Sequence, residues 1–180
     1  MAVDAFLSFA APKQGPKLVG ETQDTFFSKQ TAFEISEFSF GEENATTIGS
    51  STGGAGAGKA KFNPFKIKKP VDSASPNFFI ASASGVHYPT ATLSVRKAGG
   101  AGGKSSGAPY LIFTFKMVFV TNIDWTGPGD EAPEEEISFV YGALQISYSK
   151  QKADGSIDGS PTITSWSQVL NQASFEVPGA

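Results

Sequence analysis

Two glycine-rich stretches carry a lysine in the spacing of a phosphate-binding loop. Residues 53–60 run Gly-Gly-Ala-Gly-Ala-Gly-Lys-Ala, close to the pattern G-x-x-x-x-G-K-[ST], in which backbone N–H groups cradle phosphate and a hydroxyl binds Mg²⁺. Ala60 stands where that hydroxyl belongs, and Pro64 prevents a long following helix. In the second stretch, Gly-Lys-Ser at residues 103–105, Ala98 replaces the first glycine. Neither stretch predicts nucleotide binding.

Other residues with catalytic potential also lack partners. Residues 127–132 fit the dinucleotide-binding pattern G-x-G-x-x-A, but Pro133 and three glutamates follow, and their carboxylates would repel a pyrophosphate. The chain has one histidine, His87, and no cysteine, so neither a two-histidine metal site nor a thiolate site is possible. The sequence therefore predicts a protein that is not an enzyme, with no catalytic residue, no metal and no cofactor.

Charged residues are scarce and segregated. They make up 17% of the chain, and the net charge is −3. Residues 59–69 contain five lysines and no acid, whereas residues 124–136 contain six acids and no base. Two solvated loops are one explanation. The other is a pair of complementary faces through which copies of the chain stack head to tail. The candidate stacking residues are Glu42, Glu43, Lys59, Lys61, Lys66, Lys68, Asp130, Glu131, Glu134 and Glu135.

Alternation of apolar and polar residues predicts that most of the chain is β-strand. Strands are expected at residues 3–9, 31–41, 65–68, 91–96, 110–123 and 137–148, with a weaker final element at 162–175. Phase slips at Glu37 and at Gly142-Ala143 predict β-bulges. Residues 42–60 and 99–107 are expected to form glycine-rich loops.

The sequence also predicts which faces of the longest strand and of the helix are buried. In the strand at 110–123, the residues expected on one face are Leu111, Phe113, Phe115, Met117 and Phe119. One short helix is expected at about 75–85, with Ser75 as N-cap, Pro76 at the first position and Gly85 past the end. Phe78, Phe79 and Ala83 are expected to face the sheet.

These elements predict a mainly β protein: a two-sheet β-barrel or sandwich with one short α-helix packed on its side. The chain has 180 residues and contains neither a linker between two cores nor a repeat, so residues 1–180 are expected to form one domain. We expect no secretory signal, because the N-terminus lacks a basic start and an apolar stretch. Membrane insertion is not expected, because no apolar run reaches about 18 residues. Nucleic-acid binding is not expected either, because the chain has one arginine and a pI near 5.2.

Five stretches, taken in order, resemble the haemolysin-coregulated protein (Hcp) family, the tube proteins of the bacterial type VI secretion system. They are Met1–Leu7, Val71–Pro76, Arg96–Gly100, Tyr110-Leu111 and Tyr141–Tyr148. The resemblance implies a barrel with one helix, in a homohexameric ring that stacks head to tail into a tube. It further implies a surrounding contractile sheath, a spike protein at the tip and small effector proteins in the channel. The expected location is the bacterial cytoplasm during assembly, then the exterior, without a cleaved signal peptide.

Two alternatives compete with a secretion tube subunit. A phage-type tail tube protein shares the architecture, and the sequence does not separate the two except through the five stretches above. A monomeric β-sandwich binding module, such as a lectin, is the other alternative, and a monomeric mass in solution would favour it.

Overall fold

Strands dominate the computed structural model, which describes residues 3–45, 58–97, 108–127, 129–152 and 156–179. The mainly β fold with one short helix is confirmed. The expected loop at 99–107 and most of the loop at 42–60 lie outside the described residues. The elements are β1 Val3–Phe9, β2 Phe33–Ile35, β3 Glu37–Ser39, β4 Glu42–Asn44, β5 Ala60–Phe62, β6 Phe65–Pro70, α1 Ser75–Ser84, β7 His87–Lys97, β8 Leu111–Thr126, β9 Glu134–Tyr148 and β10 Thr162–Ser167, with a 3-10 turn at Ser28–Gln30.

Eight antiparallel strands form one sheet that nearly closes on itself as a barrel. The strand order is β2-β1-β7-β8-β9-β6-β3, and β10 pairs with β9. The two strands at the ends of this order, β2 and β3, are separated only by Ser36. Its backbone N–H and its hydroxyl both donate to the Lys68 carbonyl, at 2.9 and 2.8 Å. The expected phase slip near Glu37 is therefore real, but it marks a change of partner strand and not a bulge.

Strands β4 and β5 form a separate two-stranded ribbon. Their residues were expected to belong to a loop, and this expectation is wrong at both ends of the 42–60 segment. Glu42 pairs with Phe62, and Asn44 pairs with Ala60. Each of these strands has only three residues, which is too few for an alternation of apolar and polar residues to be recognised in the sequence.

The inward face reverses at one level across three neighbouring strands. In β7, Tyr88 and Ala91 are both fully buried, although residues three apart lie on opposite faces of a regular strand. In β8, the same is true of Phe115 and Val118. The expected face of β8 is therefore wrong beyond Met117, whose backbone is left-handed, with φ of 55°. In β9 the reversal at Gly142 was expected. No bulge accompanies it, however, because the register shift of β8 against β9 lies between Val120 and Asn122.

Phenylalanine fills the barrel. Phe65 stacks on Phe115 with ring centroids 4.3 Å apart, and Phe9 packs against Phe33, Phe78, Tyr88 and Phe139 at 5.4 to 6.2 Å. Such pairs add to the free energy of burial because the ring edges are positive and the faces negative. These contacts join β1, β6, β9 and α1 in one core.

Helix α1 buries Phe78 as expected, but the rest of its buried face differs from the one predicted. Its buried residues are Ser75, Phe78 and Ala81, whereas Phe79 and Ala83 are exposed. Ser75 is the first helical residue and does not act as N-cap; its oxygen instead accepts the N–H of Asp72. The end at Gly85, with φ of 68°, is confirmed. The described part of the chain contains no helix with the length and apolar character of a membrane span.

Gly142 lies where the C-terminal segment packs on β9. A methyl group added there would come within 2.9 Å of a methyl group of Val177, which is buried. We predict that Gly142→Ala lowers the free energy of unfolding by about 1 kcal/mol, because overpacking shifts the neighbour. Adding Val177→Ala should remove most of the penalty of Gly142→Ala, which urea unfolding of the wild type, the two single variants and the double variant measures.

Gly127→Ala is the matched control, because nothing lies within 4 Å of its added methyl group. It should leave stability unchanged or slightly raised. An equal cost of Gly142→Ala with and without Val177 would contradict the packing argument.

Candidate assembly surfaces

The two oppositely charged stretches of the sequence are neighbours within one chain. Strands β6 and β9 pair, with Lys68 opposite Glu136. Lys66 Nζ lies 3.4 Å from Glu136, and Lys68 Nζ lies 3.3 Å from Glu134. Hydrogen bonding to Glu134 raises the pKa of the Lys68 ammonium above its usual value. Much of the charge that the second of the two explanations places between copies is thus neutralised inside the subunit.

The ribbon and the β8–β9 turn lie at opposite ends of this strand pair. Strand β6 begins beside the ribbon, where Phe65 faces Phe139, and ends beside the turn, where Pro70 faces Glu134. The candidate residues at the ribbon end are Glu42, Glu43, Lys59 and Lys61, and those at the turn end are Asp130 and Glu131. All six are exposed.

Ion pairs within the chain leave few of these charges for a contact between copies. Glu43 and Lys61 pair across the ribbon at 3.5 Å. Among the described residues, Lys59 is the lysine of the basic stretch that has no carboxylate partner. The structure therefore separates Lys59 at one end of the barrel from Asp130 and Glu131 at the other.

Glu135 belongs to a buried ionic network beneath α1. It has no exposed surface, and its Oε1 lies 2.8 Å from Lys69 Nζ, which is 1% exposed. Lys69 also pairs with Asp72 at 2.8 Å, and Glu135 accepts hydrogen bonds from the Ser75 hydroxyl and the Trp125 indole N–H at 2.8 and 2.9 Å. The network ties β6, α1, β8 and β9 together. Glu135 is thus buried within the subunit.

A second cluster holds the start of β1 against β7. The Arg96 guanidinium contacts Asp24 and lies 3.3 Å from Asp4. It also lies over the rings of Phe6 and Phe27, at 4.8 and 5.2 Å. Burial alone would raise the pKa of Asp24, but hydrogen bonds from Arg96 and from two backbone N–H groups outweigh it and hold that pKa below its usual value.

Two exposed apolar features were missed by sequence analysis. Phe79 and Trp125 are each about half exposed, with ring centroids 6.2 Å apart. At the ribbon end, a groove of about 510 Å³ runs between β4–β5 and β9–β10. Phe79 was misplaced because it adjoins the truly buried Phe78. Trp125 was overlooked because it stands among acids, although an aromatic residue in an exposed acidic segment is itself a signal.

A family model described as "Type VI secretion system effector, Hcp" matches residues 7–148. The chain belongs to the Hcp family. Protein hcp1 of Pseudomonas aeruginosa is 37% identical over 109 residues, which cover 60% of this chain and 65% of that protein. The match thus spans just under two thirds of that relative.

Solved structures agree with the Hcp assignment. A type six secretion system protein is 26% identical with a TM-score of 0.80, covering 96% of this chain and all of that one. Hcp1 from Salmonella typhimurium, 23% identical, covers 97% of this chain and all of that one with a TM-score of 0.72, and so shares the fold. The resemblance of the five stretches is confirmed.

The stretches that carry the Hcp resemblance contact one another. Asp4 of the first faces Arg96 of the third across β1 and β7. Leu111 of the fourth faces Tyr148 of the fifth across β8 and β9. Asp72 and Ser75 of the second belong to the buried network.

In the described part of the chain, no group of three or more His, Cys, Asp or Glu side chains could hold a metal ion.

Removing Lys69 should be costly because it leaves the Glu135 carboxylate buried without a positive charge beside it. We predict that Lys69→Met lowers the free energy of unfolding by about 3–5 kcal/mol. Lys69→Met combined with Glu135→Gln should recover much of this loss, because neither charge is then buried. Urea unfolding measures both effects. Lys68→Met, which breaks the exposed pair with Glu134, is the control and should cost much less than Lys69→Met, because water screens an exposed ion pair. Equal costs for the two lysines would contradict the network.

Asp24 should make stability depend on pH in the acid range. Its pKa in the folded protein lies below the ordinary 3.8. Its contribution is therefore fully present above pH 3.8 and is lost as the pH falls through the lowered value. Asp24→Asn should destabilise the protein at pH 7, and its difference from wild type should shrink as the pH falls below about 4.

Urea midpoints at pH 7, 5 and 3 test this expectation. Glu43→Gln, which removes an exposed partner of Lys61, serves as the surface control and should change stability by less than about 1 kcal/mol at each pH. A gap between Asp24→Asn and wild type that stays constant across this range would rule out the Asp24 contribution.

Proposed function

We propose that this chain is the structural subunit of a type VI secretion tube. Six copies close into a ring, and rings stack head to tail into a tube that a contractile sheath expels. The observation that carries the proposal is the Hcp family match over residues 7–148. The agreement of almost the whole barrel with a type six secretion system protein supports it.

Two unlike ends of the subunit suit head-to-tail stacking. A contact between different surfaces of identical copies repeats without limit when rotation does not close it. The charges available for this contact are Glu42 and Lys59 at the ribbon end and Asp130 and Glu131 at the turn end. Five other candidate residues already form ion pairs within the subunit and would enter the contact in that state. They are Glu43, Lys61, Lys66, Lys68 and Glu134. Glu135 would not enter it.

The proposed partners follow from the tube. They are the other copies in the homohexamer and its stacked rings, a spike protein at the tip, the surrounding sheath and small effector proteins in the channel. Assembly would take place in the bacterial cytoplasm, and the tube would then be secreted.

The mass of the purified protein in solution tests the proposal. We expect native mass spectrometry at modest salt to give a dominant species of six times the chain mass, and electron microscopy to show rings with a central hole. A dilution series is the control, because a specific ring should persist below concentrations at which chance association disappears. A monomer at every concentration would overturn the tube and favour a monomeric binding module.

A further inference from the structure

The exposed pair Phe79 and Trp125, called here the aromatic knob, is rigidly held. Trp125 donates its indole N–H to the buried Glu135 at 2.9 Å, so one edge of its ring is fixed by the network under α1. Phe79 lies on the first half of α1, beside Pro76. Val71, 40% exposed, lines the same shallow surface. Tryptophan is one of the residues that most often dominate the free energy of protein association.

The groove beside the ribbon is mainly apolar. The residues that form its apolar lining, called here the ribbon groove, are Ala60, Phe62, Leu144, Ile146, Trp166 and Ala173. Glu42 and Asn44 lie among the lining residues on the ribbon side. Its volume of about 510 Å³ is in the range of pockets that bind small molecules.

Knob and groove lie at opposite ends of the same strands. Trp125 pairs with Glu135 at the start of β9. Leu144 lies nine residues further along β9, about 30 Å away at roughly 3.3 Å per residue. One copy therefore cannot fill its own groove with its own knob.

We infer that the aromatic knob of one copy docks in the ribbon groove of a second copy. The occupant is another copy of this chain because the chain carries both halves of the contact, placed apart as a head-to-tail repeat requires. Most lysines of the basic stretch pair within the subunit, so apolar burial has to supply most of the free energy of this contact. The inference rests on the proposed function for its place between stacked rings.

A photo-cross-link from the knob tests the contact directly. p-Benzoylphenylalanine replaces Phe79 in the full chain, the protein is irradiated at high concentration, and the linked peptides are identified by mass spectrometry. We expect a link from position 79 to the groove segments at 60–62, 144–146 or 164–173, which must join two copies because of the distance within one. The same amino acid in place of Ile80, an equally exposed neighbour, should give no such link. Links to other segments alone, or none between copies, would overturn the inference.

Two variants test the energetics, and neither residue takes part in the buried network. Phe79→Ala removes half of the knob, and Ala173→Phe fills the groove. Each should raise the protein concentration needed for stacking by at least about tenfold, because one central aromatic contact is worth about that factor and all copies in a ring weaken together. Ile80→Ala should leave stacking unchanged. Native mass spectrometry and electron microscopy score the number of rings per particle.

Mixing the two variants gives a result that only an unlike contact between copies predicts. Rings of Phe79→Ala keep an open groove, and rings of Ala173→Phe keep an intact knob. A mixture should therefore form paired rings that grow no further. Stacks of normal length from either variant alone would overturn the inference. Six-fold mass in both variants separates this outcome from a failure of the proposed function, which would show as no ring in the wild type.

Discussion

The pairing of Lys69 with Glu135 is the interaction on which the arrangement of this barrel depends. Both groups are withdrawn from water, so each is tolerated only because the other is present, with Asp72, Ser75 and Trp125 satisfying the remaining hydrogen bonds. The network fixes the end of β6, the entry to α1 and the root of the β8–β9 hairpin. The neighbouring Lys68 carbonyl closes the barrel through Ser36. Closure of the barrel and attachment of the helix thus occur at adjacent residues.

A second constraint is the level at which β7, β8 and β9 turn their inward faces over. On one side of this level one face of each strand is buried, and on the other side the opposite face is buried. A single long strand therefore packs against two different sets of neighbours. Met117 adopts a left-handed backbone at this level, and Gly142 leaves room for Val177 of the C-terminal segment. The C-terminal segment is therefore part of the barrel and not an appendage.

The sequence predicted what depends on local order. Alternation located the long strands, and Gly85 marked the end of α1, because period and left-handed backbone are properties of a few consecutive residues. It did not predict that the stretches containing Lys66 and Glu136 pair within one chain, since strand pairing joins residues 70 positions apart. The reversal at Met117 could not be predicted, because methionine, unlike glycine, is not typical of a left-handed backbone. For the assembly surfaces, the charged residues were found but their partners were not, and the exposure of Phe79 and Trp125 required the packing of α1.

The β8–β9 ladder pairs fourteen residues of β8 with their neighbours in β9, from one end of the barrel to the other. A force that pulls β8 along its length past β9 loads these hydrogen bonds together in shear and not one after another as in unzipping. Many bonds must then fail at once before the strands slide. A subunit built around this ladder therefore resists sliding between its two longest strands, although each hydrogen bond in the ladder is weak.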